Sequence, residues 1–156
     1  MSDGASPHLV SRTLGDLVDE MAAAAPDAEA LVFRHERLDY AGLKARVDEF
    51  ARALLAVGIR RGERVALLVT NRTEWIVAAF GAAKIGAVVA ALTTFSTPRE
   101  LAWALEHSGA AALITLDAFR GRRFLDALRD LCPELDGSAP GALRRRGCRP
   151  CTPSWP

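Results

Sequence analysis

Arg64-Val-Ala-Leu-Leu-Val-Thr70, Asn71-Arg-Thr-Glu-Trp-Ile-Val-Ala-Ala-Phe-Gly-Ala-Ala-Lys-Ile-Gly86 and Ala87-Val-Val-Ala-Ala-Leu92 together decide the fold. A turn through Thr93–Thr97 leads to Pro98-Arg-Glu-Leu-Ala-Trp-Ala-Leu-Glu-His-Ser-Gly109 and then to a further apolar run, Ala111-Ala-Leu-Ile-Thr-Leu116. Short apolar runs alternate here with longer amphipathic ones, the rhythm of βαβ units whose parallel sheet is buried on both faces. The punctuation agrees. Asn71 stands three residues before Glu74, and Thr97-Pro-Arg-Glu100 reads as a capping box with proline at the first helical position. Gly86 and Gly109 stand where a helix is closed by a left-handed residue. The expected fold is α/β and layered, with a mainly parallel sheet of about four or five strands between helices.

Working outward, Thr13 caps a predicted helix to about Ala25, with Leu14, Leu17, Val18 and Met21 on one face. Ala30–Arg34 and Arg37–Tyr40 form a predicted hairpin around His35-Glu36. Asp39 caps a long helix to about Val57, whose stripe is Leu43, Val47, Phe50, Leu54 and Leu55, and Gly58 ends it. Beyond the central stretch, Arg122 to Leu131 reads as a last helix with Phe124, Leu125, Leu128 and Leu131 on one side. Trp75 and Trp103, each among apolar residues on a helix, are expected in the core.

These segments carry a resemblance. Leu38-Asp-Tyr-Ala-Gly-Leu followed by Ala51-Arg-Ala-Leu-Leu-Ala-Val-Gly-Ile-Arg-Arg-Gly-Glu-Arg-Val-Ala resembles the first signature of adenylate-forming enzymes. Phe80-Gly-Ala-Ala-Lys-Ile-Gly-Ala-Val-Val-Ala-Ala-Leu resembles their second, and Arg99-Glu-Leu-Ala-Trp-Ala-Leu-Glu-His-Ser-Gly-Ala the helix that follows. Together they are similar to the amino-terminal part of acyl-CoA synthetases of the AMP-binding family, over about Thr13 to Leu143. The resemblance implies a ligase joining a carboxylic acid to coenzyme A at the expense of ATP, through an acyl-adenylate, in fatty acid metabolism. It implies ATP, Mg and coenzyme A for a full-length relative, with a carboxylic acid as substrate.

The resemblance also says which residues such chemistry needs: a Ser/Thr/Gly-rich phosphate loop, an aromatic-acidic adenine motif, an aspartate for the ribose and a late lysine. Backbone amides and hydroxyls cradle triphosphate oxygens, and the lysine neutralises charge developing at the α-phosphate. None of these motifs occurs in residues 1–156. No catalytic, cofactor-binding or metal-ligating residue is therefore assigned, and the 156 residues are expected to bind no cofactor and to be inactive alone. Thr93-Thr-Phe-Ser-Thr97 is rich in hydroxyls but lacks the glycines and lysine of a phosphate loop, so a plain strand-to-helix connection is preferred. Lys84 and His107 read as complements to helix carboxyl ends. His8 and His35 are not at ligand spacing, and Cys148-Arg-Pro-Cys151 lacks the second pair of a zinc site. The alternative from another class is a stand-alone, non-catalytic α/β module that binds a partner.

Composition bounds these readings. The net charge of +1 gives no electrostatic ground for nucleic acid or an anionic membrane as partner. No stretch combines the length and apolarity of a membrane span, and no secretory signal opens the chain. Three cysteines fit a reducing compartment, so the expected location is cytoplasmic. Other doubly wound classes lose their markers: neither G-x-G-x-x-G nor G-x-x-x-x-G-K-[ST] is present.

Three regions result. Residues 1–12 read as a flexible leader, 13–143 as a partial adenylate-forming domain, and 144–156 as an irregular tail. That tail holds four arginines, three prolines and two of the three cysteines without any period. The family fold wants another buried strand there. Written in GC-rich codons, as the alanine and arginine usage suggests, and read two bases later, Arg146 onward becomes Arg-Leu-Pro-Ala-Leu-His-Pro-Val-Val-Ala. That is a loop entering a strand, so a frameshift between about Ser138 and Arg146 is expected, visible in the genomic DNA beyond Pro156.

Overall fold

A computed structural model describes residues 13–137. The leader and the arginine-rich tail, with the frameshift reading and the Cys148–Cys151 pair, lie outside the described residues. Helix α1 (Leu14–Ala24) is followed by strands β1 (Glu29–Phe33) and β2 (Glu36–Asp39), and then by the long helix α2 (Tyr40–Ala56). The central stretch gives β3 (Arg64–Leu68), α3 (Thr73–Lys84), β4 (Val88–Ala91), α4 (Pro98–Ser108) and β5 (Ala112–Thr115). Two short strands, β6 (Ala118–Phe119) and β7 (Arg122–Arg123), precede α5 (Phe124–Leu131), and a single 3-10 turn, Pro133–Leu135, ends the described chain.

The main sheet is parallel, in the order β4-β3-β5. Among the described residues it has three strands, against the four or five expected, because β1 and β2 pair antiparallel with each other and β6 with β7. Arg64 pairs with Val88 on one side of β3, and Val65 with Ala112 on the other. From β3 the chain crosses one way to β4 and then back over β3 to β5. Right-handed crossovers in opposite directions place α3 and α4 on opposite faces of the sheet. The core divides accordingly, since successive strand residues point to opposite sides. Val65 and Leu67 of β3 pack with Leu54, Ile59, Ala78 and Ala82 toward α2 and α3. Leu68 packs with Leu101 of α4 and Phe124 of α5. A satellite cluster of Val18, Leu43, Val47 and Val77 joins α1 to α2 and α3.

Two glycines let the first layer close. A Cβ on Gly81 would stand 2.9 Å from Phe50 Cδ1 and 3.3 Å from the Val47 carbonyl oxygen, so α3 lies against α2 almost backbone to side chain. A Cβ on Gly15 would stand 2.8 Å from the Lys84 Cα, where α1 crosses the end of α3.

The helix starts are partly as read. Thr97 makes a full capping box: its hydroxyl accepts from the Glu100 amide, and the Glu100 carboxylate accepts from the Thr97 amide at 2.7 Å. Thr13 makes a second such box with Asp16, and Asp39 accepts from the Gly42 amide at 2.7 Å. Asn71 is not a cap. The residue before α3 is Arg72, which gives no side-chain capping bond, because the local chain is held instead by Thr73 donating to Glu36 and Arg72 clasping Glu74.

Other corrections concern which apolar residues are covered. Leu14 and Leu17 face outward, Leu14 being 67% exposed; of the predicted α1 stripe, Val18 alone is fully buried, with α2 and α3 lying on that side. Leu55 is likewise exposed, and Ala51 takes its place in the buried stripe of α2. Trp75 packs against the α2–α3 core as expected, but Trp103 is 64% exposed. Arg122 and Arg123 belong to β7, so the last helix starts at Phe124, whose amide donates to the Asp117 carbonyl at 2.8 Å. Within that helix Leu128 and Leu131 pack on the second core cluster, whereas Leu125 is half-buried outside it.

Candidate functional site

In open α/β sheets, ligands gather outside the carboxyl ends of the strands, near the place where the strand order reverses. Here those ends lead into residues 69–72, 92–97 and 116–117. The hydroxyl-rich loop from Thr93 to Thr97 stands at the end of β4. Several of its polar groups are already committed. The Phe95 amide donates to Thr93 Oγ1 at 3.3 Å, Thr97 is spent on its capping box, and Thr94 is buried. Arg122 reaches from β7 and donates through one nitrogen to the carbonyls of Thr94 (3.4 Å) and Ser96 (3.1 Å). The Thr94 and Ser96 carbonyl oxygens are thereby pinned. A triphosphate needs converging donors, whereas two of this loop's carbonyl oxygens are the acceptors of Arg122. The sequence had no signal for the Arg122 clasp, because its partners are 26 and 28 residues away.

A shallow groove of about 320 Å³ lies elsewhere, between the β1 hairpin and the start of α3. Leu31, Val32, Phe33, Trp75 and Ile76 make its apolar walls, with Asn71 and Arg72 at one end. Beneath that end, Glu36 accepts from the Thr73 hydroxyl and from Arg46 Nη1 at 2.5 Å. The Thr73 hydroxyl and then Arg46 hold the Glu36 carboxyl below its ordinary range. Arg72 binds both Glu74 oxygens at 2.6 Å, and the Arg34 guanidinium lies over the Phe33 ring, 5.4 Å from its centroid. Sequence reading marked Trp75 as a core anchor and missed that its other side lines a groove.

Lys84 does end α3, but its ammonium does more than face the helix carboxyl end. It donates to Asp19 at 2.7 Å and also to Asp48. Lys44 pairs with the same two carboxylates, with Asp19 at 2.9 Å. The bonds from Lys84 and then Lys44 hold the Asp19 carboxyl below its ordinary value. At Asp48 burial acts in the opposite direction, and the two lysines outweigh it, so that carboxyl is also lowered. Lys44 is raised well above the usual lysine range by Asp48 and then Asp19.

His35 lies in the hairpin turn as read. His107 sits in the last turn of α4, stacked on Trp103 with ring centroids 4.7 Å apart and planes within 8°. Among the described residues no group of three His, Cys, Asp or Glu side chains is gathered that could hold a metal ion. No helix of the described residues is long and apolar enough to cross a membrane.

Comparison with known proteins gives this geometry a context. The AMP-binding enzyme family matches residues 18–145. Over 139 residues the chain is 38% identical to YngI of Bacillus subtilis (strain 168), provisionally named an acyl-CoA synthetase, and 34% identical to the mitochondrial medium-chain acyl-CoA ligase ACSF2 of Mus musculus. The alignments take in 88% of this chain but 25% and 23% of those proteins, so the chain spans about a quarter of the length of the relatives it matches. Among solved structures, the N-terminal subdomain of Klebsiella oxytoca NpsA superposes with a TM-score of 0.65 at 27% identity, covering 69% of this chain and 28% of that one. A fatty acyl CoA synthetase of Mycobacterium tuberculosis gives 0.63 at 26% identity, covering 75% and 28%.

Proposed function

The chain belongs to the AMP-binding enzyme family, and on that premise we propose that it is the amino-terminal scaffold portion of an acid–CoA ligase. The family reaction links a carboxylic acid to coenzyme A through an acyl-adenylate, using ATP and Mg. In this reading the substrate is an aliphatic acid of fatty acid metabolism, in keeping with the names of the medium-chain and fatty acyl relatives. The 156 residues do not themselves carry out the reaction. The observation that carries this is the pairing of a clear family match with the lack, in the sequence, of every motif that handles ATP. Their part is to supply the first three parallel strands and the helices around them, on which the remainder of a family fold is built. The proposed compartment is the cytoplasm, on the composition of the chain.

The test is acid-dependent exchange of labelled pyrophosphate into ATP. The 156-residue chain gives no exchange above a blank. The same residues joined to the remaining three quarters of YngI restore it. Exchange by the chain alone, abolished by a substitution within residues 13–143, would overturn the inactive-scaffold reading.

A further inference from the structure

Helix α1 is joined to the rest of the molecule in an unusual way. It buries Gly15 and Val18, while Leu14 and Leu17 turn outward. An eleven-residue helix is marginal by itself, so α1 depends on its docking, whose apolar share is Val18 against Leu43, Val47 and Val77 with Gly15 close on the Lys84 backbone. What remains is a closed ring of four charges on three helices: Asp19 of α1, Lys44 and Asp48 of α2, and Lys84 of α3. Each ammonium lies between the two carboxylates, and each carboxylate between the two ammoniums. The ring is balanced only when complete. Removing the charge of Asp19 leaves two ammoniums sharing Asp48, and the like charges then repel across a partly buried gap. By contrast α2 and α3 stay joined without the ring, through Gly81 on Phe50 and Val47 and through Leu54, Ala78 and Ala82 in the core.

We propose that this ring is a latch: it docks α1 as a separate unit, and neutralising Asp19 or screening the ring frees α1 while the sheet layer stays folded. Asp16, whose charge also lies near Asp19 and Lys84, is tied to Thr13 in the capping box and takes no part in the ring. Lys44 and Lys84 are the chain's two lysines, so its entire complement of amine side chains is spent on this contact. The exposed Leu14 and Leu17 ride on the released helix.

Amide hydrogen exchange on the 156-residue chain tests it, read separately over Val18–Ala24 and over Val65–Leu68. In Asp19→Asn the α1 amides exchange faster by about tenfold or more, equivalent to about 1.4 kcal/mol, and the β3 amides do not change. Asp126→Asn, which breaks surface pairs with Arg123 and Arg129 on α5, changes neither. In the unsubstituted chain, raising sodium chloride to about 1 M, where screening acts within a few ångströms, speeds α1 and leaves β3 alone. Equal protection of α1 with and without Asp19, or acceleration of β3 in step with α1, overturns the latch.

Discussion

The two faces of the sheet are built from the same strand but closed to different degrees. Toward α2 and α3, Val65, Leu67, Leu54, Ile59, Ala78 and Ala82 are buried, with Phe50, Ile85, Val89 and Ile114 among those covered in part, and Gly81 lets the helices meet closely. Toward α4 and α5, Leu68, Leu101 and Phe124 are buried, but Leu92, Leu105, Leu113, Leu116, Leu128 and Leu131 are covered only in part. The first face, with more of its members fully buried, is the better finished of the two. Among the described residues the second is covered less fully, and Trp103 and Phe95 stand 64% and 65% exposed. The better closed layer is the one nearest the early helices, in a chain that spans about a quarter of the length of the relatives it matches.

The contrast is easiest to break with core truncations. Leu67→Ala on the finished face should cost about 3–5 kcal/mol, the range for a fully enclosed leucine that leaves a cavity. Leu128→Ala on the open face should cost about 1 kcal/mol, because water already reaches the site and no closed void is left. Urea unfolding of the two variants measures both; equal losses would mean that the faces are equally closed.

A smaller effect sharpens the same point. Contiguous apolar surface beyond a few hundred Å² drives association, so the chain should show a mass that rises with concentration in sedimentation equilibrium. Leu128→Lys on the open face should lower that rise, whereas Glu49→Lys on the exposed side of α2 should not. A monodisperse monomer with a sharp, reversible thermal transition would instead favour the stand-alone binding module.

The smallest expected difference lies at the helix starts. Thr97→Ala should cost about 1 kcal/mol, the usual value of a lost capping box residue. Asn71→Ala should change stability by no more than about 0.5 kcal/mol, the ordinary range for a surface site, since its side chain makes no cap. Thermal shifts of comparable size for the two would restore Asn71 as the cap of α3.

That pair of residues also shows what was legible in the sequence. Thr97-Pro-Arg-Glu100 could be read because every partner lies within one helical turn. Asn71 was misread because the competing bond, Thr73 to Glu36, spans 37 positions and only the fold brings it together. The order of strands and helices around β3 was plain from alternating apolar and amphipathic runs. Periodicity marks the apolar face of a helix, yet it cannot tell whether another element covers that face, and so Leu14, Leu17 and Trp103 were placed inside. The latch lay beyond reach for the same reason, its members standing 36 and 65 residues apart. The missing phosphate loop, by contrast, is a matter of sequence alone.

The position of β3 has one further consequence, for the order in which the molecule comes together. The middle strand of the sheet is the first of the three to be synthesised, and its neighbours, β4 and then β5, follow it along the chain. Arg64 must wait for Val88, and Val65 longer still for Ala112. Pairings close in sequence form at lower entropic cost than distant ones. On that ground the β3–β4 pairing is the cheaper to close and the β3–β5 pairing the more costly.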